Sequence, residues 1–223
     1  MTKKTFFGAM AVVTAVALTG SALVASNMGF KLNYTLNQGG VGGSATGVRS
    51  LALPDNRQTG LTDAKSLMDD IGFANVATIS RYLSSSDALQ PYTGRKTTPS
   101  TAFGLAAGQG YLVKMFTSVN YVIVGSDDPA LVYPLFQGGA GGSATGVTLY
   151  SYNYHQTAAD AKALMDDIGF ANVATISRYL SGSDALQPYT GRKTAPSTFF
   201  TLTPGEAYYV KMFTTVNYTP SHY

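Results

Sequence analysis

The 223-residue chain has no cysteine, no tryptophan, two histidines and one glutamate, Glu206. Without cysteine there can be no disulfide, thiolate metal site, c-type haem attachment or thiol nucleophile. The histidines, His155 and His222, offer little for a general base, and solvated side chains are expected at both. With a single glutamate, a glycosidase pair would have to come from aspartates. Charge is sparse, with 15 basic and 12 acidic residues. Two of the basic residues, Lys3 and Lys4, lie at the extreme N-terminus. Without them the balance is 13 against 12, a net of +1, which gives no ground for a nucleic-acid partner. Past the N-terminal segment there is no second long apolar run, so no further membrane-spanning helix is expected.

The N-terminal segment reads as a secretory signal. Lys3 and Lys4 precede the uncharged apolar stretch 6–18, and small residues follow at 19–22. Cleavage is expected after Ala22, Ala25 or Ser26, giving a signal at 1–26 and a secreted, extracellular or cell-surface product. A membrane anchor would want about 20 strongly apolar residues, more than this run supplies.

What the chain does contain is one unit written twice. Residues 64–100 and 161–197 differ only at Ser66/Ala163, Ser85/Gly182 and Thr98/Ala195, at an offset of 97. Upstream, Gly39 matches Gly138 and Gly47 matches Gly146 at an offset of 99, so two residues have been gained or lost between Leu53 and Leu61. Two repeat domains are expected, 27–126 and 127–223. Any catalytic constellation inside the repeat would have to occur twice.

Each unit is expected to be α+β and β-rich, with about five strands and one amphipathic helix. The helix shows as an apolar stripe at Leu61, Ala64, Leu67, Met68 and Ile71, repeated at Ala158, Ala161, Leu164, Met165 and Ile168. Thr157 with Asp160 reads as a capping box, with Gly60 and Asp63 in the matching places. Gly72 and Gly169 are expected at the left-handed C′ position, with Phe73 and Phe170 folding back. Asp69 and Asp70 oppose the helix dipole, which calls for Arg81, Arg95 or Lys96, or a bound cation, as compensation. Strands are expected at 48–53, 76–83, 111–116 and 119–124 and at their second-copy counterparts. A hairpin or solvated loop is expected around Thr93–Gly94.

These pieces resemble a family of tandem repeats in exported bacterial proteins. In that family a strand ending in Leu-Pro leads to a helix, then to a strand of the form V-x-x-I-x-R-W, and the unit closes with F-x-L-x-x-G-E-G-Y-x-V. Here the matching residues are Leu53–Pro54, the helix to Ile71, "VATISRY" at 76–82, and "FGLAAGQGYLV" at 103–113. The second copy has "VATISRY" at 173–179 and "FTLTPGEAYYV" at 200–210. Tyr82 and Tyr179 stand where the family has tryptophan, and Gln109 stands where the closing motif has its acid. The resemblance implies surface exposure or secretion and a repeat architecture, without a defined activity.

The candidate chemistry is thin. Gly40, Gly42 and Ala45 fit G-x-G-x-x-A, but a strand-like run follows instead of the helix a dinucleotide site needs, and no Lys-Ser/Thr follows for a P-loop. A flexible surface segment, or close backbone approach to a neighbour, is the expected role of these glycines. Asp127, Asp128 and the helix-end aspartates are calcium-type donors, but no calcium-loop motif accompanies them, and no metal or cofactor is assigned. Tyr92 beside Arg95, and Tyr189 beside Arg192, are candidate ligand surfaces. Met28, Phe30, Leu32, Tyr34 and Leu36 alternate as a strand that pairs within its own unit or with a neighbouring molecule. The favoured expectation is a non-enzymatic exported structural or adhesive protein that self-associates into a filament or layer. The alternative is a secreted binder of surface polysaccharide or another small ligand through repeated tyrosine loops.

Overall fold

The computed structural model describes residues 29–94, 101–191 and 199–222. The segment expected to be a signal, Met28, Arg95 and Arg192 lie outside the described residues. Among the described residues no helix is long and apolar enough to cross a membrane.

The protein is β-rich, with two short helices. In the first half β1 (Phe30–Leu36), β7 (Val119–Ser126) and β3 (Asn56–Arg57) form a sheet in the order β1-β7-β3. A second sheet runs β2-β6-β4-β5, made from Val48–Ala52, Gly110–Met115, Val76–Leu83 and Ala88–Tyr92. In the second half β9 (Val147–Ser151), β12 (Ala207–Met212), β10 (Val173–Leu180) and β11 (Ala185–Tyr189) follow the same order, β9-β12-β10-β11. β8 (Tyr133–Leu135) pairs with β13 (Val216–Tyr218).

Helices α1 (Ala64–Ile71) and α2 (Ala161–Ile168) bury Ala64, Leu67, Met68 and Ile71 and their counterparts. Both start later than expected. Asp63 and Asp160 are themselves the N-caps, accepting from the backbone N–H of Ser66 and Ala163 at 2.8 Å. Leu61 and Ala158 precede the helix but are still buried. Gly72 has the expected positive φ of 109°, with ψ at 104° outside the left-handed helical basin. Only glycine occupies that region readily. Phe73 is 44% exposed and stands against Gly94, where an added Cβ would meet its Cε2 at 2.7 Å.

The helix-end aspartates find other partners than those expected. Lys65 and Lys162 reach Asp69 and Asp166 at 2.6 Å from one turn back. Asp70 accepts from the Tyr121 hydroxyl at 2.8 Å, and Asp167 from the Tyr218 hydroxyl at 2.5 Å. Arg81 instead donates to Gln90 at 2.7 Å and lies over the Phe103 ring. Lys96 and Arg95 fall outside the described residues. A hairpin also turns earlier in this region, and the stretch past Gly94, where a hairpin or solvated loop was expected, lies outside the described residues. β4 and β5 pair through a turn at 84–87, and β5 runs through Pro91 to Tyr92. An edge strand tolerates that proline, because its missing N–H is not needed by the sheet.

β5 therefore places Tyr92 opposite Ile79 and buries it at 5% exposure, with Tyr189 at 4%. These rings are core, not the exposed ligand surface expected. β1 pairs with β7 of its own half along all seven residues. Its alternate side chains Phe30, Leu32, Tyr34 and Leu36 enter the first-half core. Phe30, Leu32 and Tyr34, candidates for an interface with a neighbouring molecule, are thus buried, because period-two alternation turns them all to one covered face.

Candidate functional site

The seam between the halves holds the chain's most elaborate local chemistry. It is built from the glycine-rich segments and the hairpin tips. The Ala45 N–H donates to the Ser181 carbonyl, and the Ala144 N–H donates to the Ser84 carbonyl, both at 2.6 Å. These two bonds are each other's counterparts under the repeat offsets. A second reciprocal pair joins the Ala52 N–H to the Gly205 carbonyl at 2.8 Å and the Ser151 N–H to the Gly108 carbonyl at 3.1 Å. Close backbone approach, one of the roles expected of these glycines, is seen at Gly43, whose carbonyl stands 2.7 Å from where a Cβ on Gly182 of the other half would lie. Gly47 serves the fold of its own segment. Its φ is +79°, and a Cβ there would stand 2.8 Å from the Gly39 nitrogen.

Side chains reinforce the clasp in the same reciprocal way. Asp87 and Asp184 hold φ of 51° and 52°, a left-handed conformation that aspartate tolerates better than most residues. The Tyr82 hydroxyl donates to Asp87 at 2.5 Å, and the Tyr179 hydroxyl donates to Asp184. The Thr145 hydroxyl, and then that of Tyr82, hold the Asp87 carboxyl below its usual range; Thr46 and Tyr179 do the same for Asp184. Each threonine belongs to the glycine-rich segment of the opposite half. Tyr34 and Tyr133 extend the pattern. An added Cβ on Gly205 would meet the Tyr34 hydroxyl at 2.9 Å, and one on Gly108 would meet the Tyr133 ring at 2.2 Å. Between the halves lies a small separate core of Leu112, Leu149 and Ala207, flanked by Tyr82 and Tyr209.

The reciprocity breaks where the two copies differ. At one end of the seam Arg49 and Glu206 form an ion pair at 3.5 Å. At the other end their counterparts are Thr148 and Gln109, which line a cavity of about 270 Å³. Residues from both halves build it: Tyr82, Ser84 and Gln109 from the first, Pro134, Thr148 and Leu149 from the second. Tyr133 also lines this cavity. Burial, followed by the carboxylates of Asp55 and Asp127, holds its hydroxyl well above the usual phenol range.

Those carboxylates form a polar cluster of unrepeated residues. Burial pushes Asp55 from 3.8 up to about 6, against the pull of the Asp128 amide and with the Asp127 charge adding to the rise. Burial likewise raises Asp127, which is 2% exposed. It accepts from the His155 N–H at 2.9 Å, while the ring Nδ1 stands 3.6 Å away. His155 is therefore packed, not solvated as expected, and its ring lies edge-on to Phe30. Among the described residues no three histidine or acidic side chains converge in a metal-binding group.

Sequence reasoning missed Asp87, Asp184, Gln109 and Thr148 as a group. The signal for the aspartates was available, since an aspartate ending a run of small residues favours a left-handed turn. Comparison with known protein families, with curated proteins and with solved structures yields no match.

Proposed function

We propose that the chain is a non-enzymatic exported bacterial protein of the cell surface or extracellular space. In this reading a signal at 1–26 is removed, and two homologous repeats, 27–126 and 127–223, clasp each other as a fused dimer. Its role is structural, as a stiff unit that self-associates into a filament or layer.

The observation that carries this reading is a surface displayed twice. Phe73 and Phe116 are 44% and 53% exposed, and their counterparts Phe170 and Phe213 are 43% and 53% exposed. In each half the bond from the N–H of Phe116 or Phe213 to the carbonyl of Asn75 or Asn172, at 2.7 Å, ties the backbone of one phenylalanine to the segment that carries the other. A molecule offering the same apolar surface at two places uses one on each neighbour. Growth then continues in a line instead of stopping at a closed pair. The resemblance of the closing motif to exported tandem repeats supports the same placement.

Sedimentation of the mature chain over a wide concentration range tests the reading. Concentration-dependent polymers are expected from the wild type, and monomers from Phe116→Ser/Phe213→Ser. A wild-type chain that stays monomeric throughout would contradict it. The alternative, ligand capture by repeated tyrosine loops, loses support from the burial of Tyr92 and Tyr189.

A further inference from the structure

A cavity of about 270 Å³ lies at one end of the seam. We propose that the cavity between Gln109 and Thr148 takes one uncharged, hydroxyl-bearing ring, a single neutral pyranose unit. The argument starts from the broken reciprocity. All the lining positions have counterparts at the far end of the seam, and there Arg49 and Glu206 stand at 3.5 Å from each other. Replacing that pair by threonine and glutamine leaves two shorter or uncharged side chains facing about 270 Å³ of space.

The lining then selects the occupant. It contains no charged side chain, so a carboxylate or ammonium ligand would lose water without gaining an ionic partner in the wall. Its lining carries hydroxyl and amide side chains at Ser84, Gln109 and Thr148, beside the apolar surfaces of Pro134 and Leu149 and the ring of Tyr82, whose hydroxyl is held by Asp87. A pyranose has this dual character, with hydroxyls at its rim and C–H groups on its face. The volume falls just below the roughly 300–1,000 Å³ of drug-sized sites, which limits the guest to one ring.

The walls are fixed before any ligand arrives. The Gly108 carbonyl accepts from Ser151 N–H at 3.1 Å, and the Ser84 carbonyl accepts from Ala144 N–H at 2.6 Å. The Tyr111 hydroxyl donates to the Gln109 amide oxygen at 3.3 Å, which orients that side chain. The site uses none of the exposed phenylalanines, so it is independent of the proposed self-association.

The test is a nitrogen-15 amide-shift titration of the mature chain with glucose, galactose and N-acetylglucosamine. Glucosamine and glucuronate serve as charged comparators. At least one neutral sugar is expected to shift the amides of Gln109 and Thr148. Gln109→Glu/Thr148→Arg installs the ion pair of the opposite end and is expected to weaken that binding at least tenfold. Arg49→Thr/Glu206→Gln opens the opposite end and is expected to add a second set of shifts around Gly205. The proposal is overturned if no neutral sugar moves these amides, if the charged comparators bind more tightly, or if the filled variant binds as the wild type does. Should the filled variant fail to fold, the opened variant decides: a second set of shifts supports the site, and its absence overturns it.

Discussion

Gly110 and Ala207 are counterparts that meet across the seam: a Cβ added to Gly110 would lie 2.3 Å from the Cβ of Ala207. Two identical copies could not both carry alanine there. The seam is thus asymmetric at this point, with the small core of Leu112, Leu149 and Ala207 packed around it. Gly110→Ala is expected to destabilise the fold by about 1–3 kcal/mol, the usual cost of overpacking. Adding Ala207→Gly should recover most of the loss. Denaturant melts of the wild type and the two variants check this, and equal losses in the single and double variants would contradict it.

The partly buried Asp55 gives stability a pH dependence of definite sign. Its folded value of about 6 lies above the unfolded 3.8, so the native state holds the extra proton between them. Stability contributed by protonated Asp55 is complete below about pH 4 and is lost as pH rises through about 6. Asp55→Asn is expected to remove that decline and to raise stability at pH 7.5 by on the order of 2 kcal/mol. Melts across pH 4 to 8 decide it. A wild-type curve that rises through this window with the same slope as the variant's would contradict the assignment.

Gly72→Val and Gly169→Val should each destabilise. The backbone there has φ of 109° and 106°, which a β-branched residue strongly resists. An added Cβ would also approach the amide of Asn75 or Asn172 within 2.7 Å. A cost of about 1–2 kcal/mol or more is expected from the conformation alone. Unchanged melting midpoints in both variants would show that the helices end differently.

Deleting residues 30–36 should unfold the first half rather than only abolish polymers. β1 contributes Phe30, Leu32, Tyr34 and Leu36 to that core. Each such side chain is worth about 1.5–3 kcal/mol on burial, so together they rival the whole stability of an ordinary domain, about 5–15 kcal/mol. Circular dichroism and proteolysis of the truncated chain would reveal the loss. A truncated chain with both halves intact would restore the strand-donation alternative.

The elements with a strong period were legible in the sequence. The α1 stripe, the alternation of β1 and the long strand β4 are read directly, because burial repeats at the spacing of each structure. What could not be read was partnership across the seam. Asp87 is met by Thr145, and the amides of Ala45 and Ala144 are met by the carbonyls of Ser181 and Ser84. Each outcome depends on how two distant segments meet, which local spacing does not encode. The cavity was hidden for the same reason. Gln109 and Thr148 became a site only because Glu206 and Arg49 at the other end form an ion pair that they do not.

The central claim is that the glycine-rich segments clasp the opposite half, and hydrogen exchange at two amides tests it most directly. Ala45 and Ala144 lie in glycine-rich stretches, where a solvated loop would exchange at close to the unprotected rate. Their bonds to Ser181 and Ser84, both 2.6 Å, instead tie them to the hairpin tips of the other half. Both amides are expected to be protected together, at least a hundredfold over the free rate, and Thr46→Val with Thr145→Val should lower that protection. Rapid, unprotected exchange at both alanines in the intact chain would contradict the clasp.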